Sequence, residues 1–411
     1  MRILFVAPYA PRHIRTRPYF LLRALAARGH SITLATIWQN EEERQSLSFW
    51  QTLGMTVLSA RLPRLRWLLN CVTALPRPLP LQAVYSWQPE LVRQIDQTLA
   101  GAGSAFDVIH VEHLRGSSYG LHVRQRGLPV VWDSVDCISL LFEEASSSST
   151  SMFGQMLARI DLGRTRAYEP WLASQFDRVL ITSPIDKAAL ERLGRDLPEP
   201  VDLTGRVTVL PNGVDLVYFQ PGSAARQKGN IVFTGRMSYH ANITAASLFA
   251  RQVLPLIWAQ RPDATFTIAG YDPTPEVRVL ANDRRITVTG TATDLRPYLQ
   301  GAEVAVAPMP YGTGIQNKIL EAMACATPVV TTPQPLAALL ATAGEHLLVA
   351  EQAPGLARHV LALLENAELR QRIGQAGRRY VEEHHDWQRV VLQLEAIYQD
   401  AIARRRGASD A

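Results

Sequence analysis

Residues 304–330, VAVAPMPYGTGIQNKILEAMACATPVV, decide the fold. The stretch opens on a short apolar run, turns through a Pro- and Gly-rich segment at 310–314, continues in a helical pattern over 314–325 and ends in a second apolar run. Strand, glycine turn, helix and parallel strand make a βαβ unit, and the same alternation runs through the whole chain. Upstream, ILFVA, SITLATI, MTVLSA, FDVIHV, LPVVW and DRVLIT read as strands, with a helix over 19–28 ended by Gly29. Downstream, IVFTG, TFTIAG, ITVTG, VAVAP, TPVVTT and HLLVA alternate with helices expected over 241–260, 274–282, 294–301 and 314–325.

The pattern predicts an α/β chain of two doubly wound domains, because 411 residues exceed one ordinary core. The Pro, Gly and polar residues of PNGVD and FQPGSAARQKGN mark the boundary. The expected division is 1–210, 211–385 and a C-terminal helix with a tail, 386–411, that packs back on the first domain. The serine run SSSSTS at 146–151 cannot bury apolar area; it reads either as a lid over a cleft or as an inert surface loop.

Apolar residues at 47% and charged residues at 19% exclude a disordered chain. The opening run is too short for a signal peptide or a membrane span and reads as a buried first strand. Cys71, Cys137 and Cys325 form no metal-binding spacing and fit thiols of a reducing, cytoplasmic compartment. No DxD pair, HExxH or Cys/His cluster marks a metal site. The net charge of +5 rests on arginine, since lysine occurs only at 187, 228 and 318. From Arg44 to Pro89 there is no Asp or Glu, while Arg61, Arg64 and Arg66 share the stretch with Trp50, Trp67 and Trp87. That stretch fits peripheral contact with an anionic membrane, and equally a solvated arginine face; nothing in it matches a nucleic-acid-binding motif.

Ligands of open parallel sheets bind beyond the carboxyl ends of the strands. There the turn at 311–314 leads into a helix start, where backbone N–H groups can approach an anion. On that helix Asn317, Lys318 and Glu321 fall within one turn; Lys318 suits a diphosphate and Glu321 a ribose diol, although the same spacing also fits a surface salt bridge. Gly235 and Arg236 close the strand IVFTG and add a second charge, unless Arg236 is an ordinary surface arginine. A P-loop is absent, and the turn lacks the third glycine and the following acidic residue of a dehydrogenase site.

VLPNGVDLVYFQP at 209–221, FTGRM at 233–237, NKILEAMACATPVV at 317–330 and LLENAELRQRIGQAGRRYVEEHHDW at 363–387 together resemble the GT-B, family 4-like retaining glycosyltransferases. The GIQNK variant is similar to bacterial sugar transferases of exosortase-type exopolysaccharide loci. The resemblance covers nearly the whole chain. It implies two Rossmann-like domains facing across a cleft, an acceptor-side first domain, and a second domain that binds a UDP- or GDP-linked sugar without metal or further cofactor. It places Arg236 and Lys318 on the donor diphosphate, Glu321 on the ribose, Gly314, Ile315 and Gln316 on the sugar, and Gly290 and Thr291 on the base.

Several positions depart from the family. Thr313 stands where a sugar-contacting carboxylate is expected. Tyr239, His240 and Asn242 fill a loop that usually carries a second basic residue. The glycine turn after the first strand is replaced by residues 11–16, which makes Arg15 or Arg17 the acceptor-side candidate. Asp136 stands in place of a histidine, as a sugar-binding residue or base, or as a loop cap. The implied activity is transfer of a hexose-type sugar to a lipid-linked or polysaccharide acceptor at the inner face of a bacterial membrane. A catalytically silent scaffold subunit of a polysaccharide synthase and a nucleotide-sugar epimerase are the alternatives.

Overall fold

A computed structural model describes residues 1–101, 106–148, 152–311 and 314–409. The chain divides into two units, Met1–Leu210 with Val390–Ala411, and Pro211–Arg389.

Unit 1 is built on β1 (Arg2–Ala7), β2 (Ser31–Trp38), β3 (Thr56–Arg61), β4 (Val108–Glu112), β5 (Val130–Val135), β6 (Arg178–Ile181) and β7 (Val207–Val209). They pair in the order β3-β2-β1-β4-β5-β6-β7, and every pairing is parallel. Residues 3–7 and all of β4 are buried, as strands covered on both faces by helices must be. β7 has only 3 residues and escaped the strand pattern, because so short a run carries no periodicity.

Unit 2 repeats the plan with β8 (Gln227–Arg236), β9 (Thr265–Tyr271), β10 (Ile286–Thr291), β11 (Ala302–Ala307), β12 (Val329–Thr331) and β13 (Leu348–Val349), in the order β10-β9-β8-β11-β12-β13. Strand order reverses between β1 and β4 in one unit and between β8 and β11 in the other. Crossovers leave in opposite directions from these two points, so a crevice opens at the carboxyl ends of the strands there. Unit 2 is also closed on itself by its own ends. His385 accepts through its backbone carbonyl from Val214 N–H at 2.7 Å, and its Nδ1 lies 2.6 Å from the Asn212 carbonyl. A Cβ on Gly213 would come within 2.5 Å of the Trp387 ring, which explains the glycine of PNGVD.

The helix Trp387–Ser409 carries the chain back to unit 1. There Glu395 accepts from Arg28 Nε at 2.5 Å and lies 2.6 Å from His30 Nε2, Asp400 pairs with Arg178, and the Tyr398 hydroxyl sits 2.9 Å from His110 Nδ1. The C-terminal helix therefore packs on the first unit.

Three expectations need correction. Arg17 does not face an acceptor site: it is 4% exposed, donates from Nε to Asp133 Oδ2 at 2.7 Å and from a terminal nitrogen to the Leu210 carbonyl at 3.0 Å. The helix Thr16–Ala27 begins immediately before it and turns position 17 to the sheet. The tryptophans of the basic stretch are not a surface: Trp50 is fully buried, and Trp67 and Trp87 pack on the core. Ser146 to Ser148 belong to the helix Ile138–Ser148 and not to a loop, while residues 149–151 lie outside the described residues.

Breaking a buried ion pair strands the surviving charge, at a cost of about 3–5 kcal/mol. Arg17→Ala is accordingly expected to lower unfolding free energy by about that amount in chemical denaturation, whereas Arg236→Ala, on an exposed residue, leaves it unchanged.

Candidate functional site

In unit 2 the β8/β11 reversal brings together side chains far apart in sequence. β8 ends at Gly235 and Arg236, and β11 leads through Tyr311 to Gly314 (φ +73°) and the helix Asn317–Ala324. Lys318 Nζ donates to Asn242 Oδ1, lies 3.5 Å from Met309 Sδ and stands 4.7 Å above the Phe233 ring. Asn242 Nδ2 in turn donates to the Arg236 carbonyl at 2.9 Å. A cation on one crossover helix is thus tied, through an amide on another, to the end of the central strand. Gly235 (φ +148°) is the residue this tie requires, since a Cβ there would lie 2.9 Å from Asn242 Nδ2 and 3.4 Å from Lys318 Cε.

Burial disfavours both charges on the helix: it pushes Lys318 down to about 7 and Glu321 up to about 7, and the opposite charge of each on the other limits the shift. The surface salt bridge that their spacing allows is not formed; Lys318 is instead committed to Asn242. An uncommitted carboxylate and a desolvated ammonium one turn apart cost energy unless a ligand uses them. Asn317 Oδ1 is likewise buried without a hydrogen-bond partner.

Other expected donor residues lie around this centre. Arg236 is exposed, and its Nε donates to Ser238 Oγ at 3.0 Å. Gly314 and Ile315 are buried, and Gln316 precedes the helix in an extended conformation. Gly290 (φ +75°) and the exposed Thr291 end β10, where Thr291 pairs with Gly270 after an irregularity in the ladder, and Gly270 pairs with Gly235. Two strand spacings separate Thr291 from Gly235, about 10 Å, which fits the span from a base to a diphosphate. The Tyr311 hydroxyl lies 3.0 Å from His240 Nδ1 and 2.9 Å from Thr244 Oγ1, pinning the turn to the helix His240–Leu248. Gly312 and Thr313 lie outside the described residues.

In unit 1 the β1/β4 reversal gathers a second set. Glu112, 1% exposed, accepts from the Tyr9 hydroxyl at 2.8 Å through Oε1, while its Oε2 is buried without a partner. Burial, then the nearby Asp133, pushes its carboxyl up to about 8. His113 follows in the left-handed region at φ +61°, its Nδ1 accepting from Arg115 N–H at 3.2 Å; burial and the neighbouring guanidinium groups push it down to about 3, leaving a neutral imidazole. Arg15 is exposed, with its guanidinium 4.5 Å from the Tyr9 ring centroid, and Arg115 stands 5.3 Å from that of Tyr85. Arg15, and not Arg17, is therefore the arginine of the first turn that reaches this edge.

Asp136 accepts from Thr182 Oγ1 at 3.1 Å and is pushed up to about 6 by burial. It does not cap the helix Ile138–Ser148. Glu169 does, accepting from the N–H groups of Ile138 and Ser139 at 2.8 Å each, while Asp186 accepts from Cys137 N–H at 3.0 Å. Tyr9, Glu112, His113 and Arg115 escaped the sequence reading. The available signal was the polar run Glu112, His113 and Arg115 at the carboxyl end of a strand, the edge where ligands bind.

Because the folded pKa of Glu112 lies above the ordinary 4.5, the stability that its protonated form contributes is complete below that value and is lost as pH rises through about 8. Glu112→Gln keeps the shape without the charge, so its unfolding temperature is expected to fall less than the wild type's between about pH 6 and about pH 9 in calorimetric scans.

Sequence-family models match both units: "Glycosyl transferase 4-like domain" over residues 14–213 and "Glycosyl transferases group 1" over residues 228–366. Phosphatidyl-myo-inositol mannosyltransferase of Mycobacterium tuberculosis is 29% identical over 238 residues, covering 54% of this chain and 59% of the mannosyltransferase. The chain thus spans less than two thirds of that relative's length. An uncharacterized 44.6 kDa protein from the cps region of Klebsiella pneumoniae is 20% identical over 381 residues, covering 90% of this chain and 91% of the relative. Among solved structures, sucrose-phosphate synthase of Thermosynechococcus elongatus aligns with a TM-score of 0.67 at 18% identity, over 98% of this chain and 100% of that one. Anabaena HepE in complex with UDP and glucose aligns with a TM-score of 0.66 at 13% identity, over 97% of this chain and 99% of that one.

Proposed function

The chain belongs to the family 4-like glycosyltransferases of GT-B fold, and from that premise we propose that unit 2 holds a nucleotide-sugar donor whose hexose-type sugar is transferred with retention. The observation that carries this reading is the desolvated Lys318, tied through Asn242 to the end of β8 beside Gly235 and Arg236. Lys318 and Arg236 hold the donor diphosphate together with the backbone N–H groups at the start of the helix Asn317–Ala324. Asn317, Gly314, Ile315 and Gln316 line the sugar side, Glu321 accepts from the ribose hydroxyls, and Gly290 and Thr291 meet the base. Charge develops on the leaving diphosphate as the glycosidic bond breaks. A fixed ammonium stabilises that charge more than it stabilises the ground state. The diphosphate, a UDP or GDP, takes the proton of the acceptor hydroxyl, so this chemistry uses no metal from the protein.

Arg15 and Asp136 belong to the acceptor side, in unit 1. The acceptor is lipid-linked or a growing polysaccharide in bacterial cell-surface glycan synthesis. Two relatives support that choice: one is named for a phosphatidylinositol substrate, the other for a cps region. The protein works at the inner face of the plasma membrane as a peripheral protein, with Arg61 and Arg64 toward anionic headgroups. Arg66, half-buried, contributes less than expected. No helix among the described residues is long and apolar enough to cross a membrane.

Lys318→Ala is expected to reduce sugar transfer in a membrane-extract assay by about 10²–10³-fold, while the unfolding temperature holds. Near-normal turnover would remove Lys318 from the mechanism. Calorimetry with UDP, GDP and ADP identifies the base, and binding of none of the three would leave a silent scaffold. Since Lys318 titrates near neutrality, nucleotide affinity is expected to weaken as pH rises from about 6 to about 9, and this weakening is absent in Lys318→Ala, where Glu321, also near 7, gains affinity for the ribose as it ionises.

A further inference from the structure

The helix Arg64–Ala74, RLRWLLNCVTA, is apolar on the wrong side. Leu65, Leu68, Leu69 and Val72 recur at the i, i+3, i+4, i+7 spacing that normally builds a core face. Here they are 80%, 49%, 52% and 51% exposed, and Leu75, one turn further on, is 50% exposed. The opposite side already docks the helix. Asn70 and Ala74 are buried, Trp67 packs on the unit 1 core, and Asn70 Nδ2 donates to the carbonyls of Tyr85 at 3.2 Å and Trp87 at 2.8 Å. The leucine face is therefore held outward by the protein's own packing. Leaving a continuous apolar stripe in water is unfavourable and marks an interaction surface.

Charge decides what covers it. Arg61 is exposed before the helix, Arg64 at its first residue and Arg77 beyond its last turn. Arg164 donates to the Leu75 carbonyl, adding a cation at the same end. No Asp or Glu occurs between Arg44 and Glu90; Glu41 interacts with Arg61 and Asp161 with Arg164 from outside the stretch, and the charges of Arg64 and Arg77 add to an arginine excess at both ends. A second copy docking by the same face would set arginine against arginine, which is repulsive. A bilayer with anionic headgroups offers apolar depth to the leucines and negative charge to both arginine ends.

We propose that this helix lies in the plane of an anionic phospholipid surface, with Leu65, Leu68, Leu69, Val72 and Leu75 inserted among the acyl chains and Arg61, Arg64 and Arg77 on the headgroups. It deepens the peripheral-membrane reading above, in which arginine alone made the contact: apolar insertion supplies a part of the affinity that salt does not screen, and arginine the part that it does.

The test is flotation of the full chain with vesicles of phosphatidylcholine alone or mixed with phosphatidylglycerol. Wild type is expected to float with the anionic vesicles, to weaken but persist at about 1 M salt, and to bind pure phosphatidylcholine poorly. Leu65→Glu with Leu69→Glu is expected to reduce partitioning by about tenfold or more at all salt concentrations, without altering unfolding temperature or UDP binding. Arg61→Ala with Arg64→Ala is expected to lose only the salt-sensitive part. Wild-type binding by the double glutamate variant would overturn insertion while leaving the arginine contact and the sugar-transfer reading intact. Failure of wild type to float overturns it as well, and so does a concentration-dependent dimer in sedimentation that the leucine substitutions abolish. UDP calorimetry on the same samples reports on the donor site separately.

Discussion

A strand paired on both edges and covered on both faces has nowhere to display chemistry except its ends, and the polar clusters of both units follow from that constraint. β4 is buried throughout and β8 over residues 229–234, which makes them good supports and poor sites. Where strand order reverses, the two flanking crossovers diverge and the strand ends are uncovered. Both units gather unusual polar groups at those two places and use similar devices to do so: a glycine or a left-handed residue at the strand's end, a carboxyl or ammonium kept out of water, and a neutral partner that fixes its direction. In unit 2 the partner is Asn242, in unit 1 Tyr9.

The strands were legible because parallel strands are nearly continuous apolar runs, and the helix of unit 2's turn was legible because glycine and a following apolar face announce it. Its start moved from 314 to Asn317, since Gly314 takes a left-handed φ of +73° and Gln316 is still extended. The helix expected over 241–260 is one rod of three kinds, His240–Leu248, a π-turn at Phe249–Val253 and Leu254–Trp258, because Pro255 removes a backbone donor where the rod would otherwise stay regular.

Side-chain direction was less legible. Arg15 and Arg17 are two positions apart at a helix start, and only the packing of the first turn sends one outward and the other into Asp133. The bond from Lys318 to Asn242 joins residues 76 apart, a relation no local pattern can carry. The leucine helix was unreadable for a different reason. Trp67, Asn70 and Ala74 compete with the leucines for the core side, and composition alone could not tell which face the protein keeps for itself.

The clamp between His385 and the Asn212–Val214 backbone has a consequence for modularity. Unit 2 is a continuous segment inserted between the two parts of unit 1, and the clamp fastens its first residues to its last. An inserted domain whose ends already meet costs its host little loop-closure entropy and can fold before the host is complete. It has the form of a cassette: residues 211–389 enter and leave unit 1 at one place, so the segment is exchangeable without rebuilding either sheet.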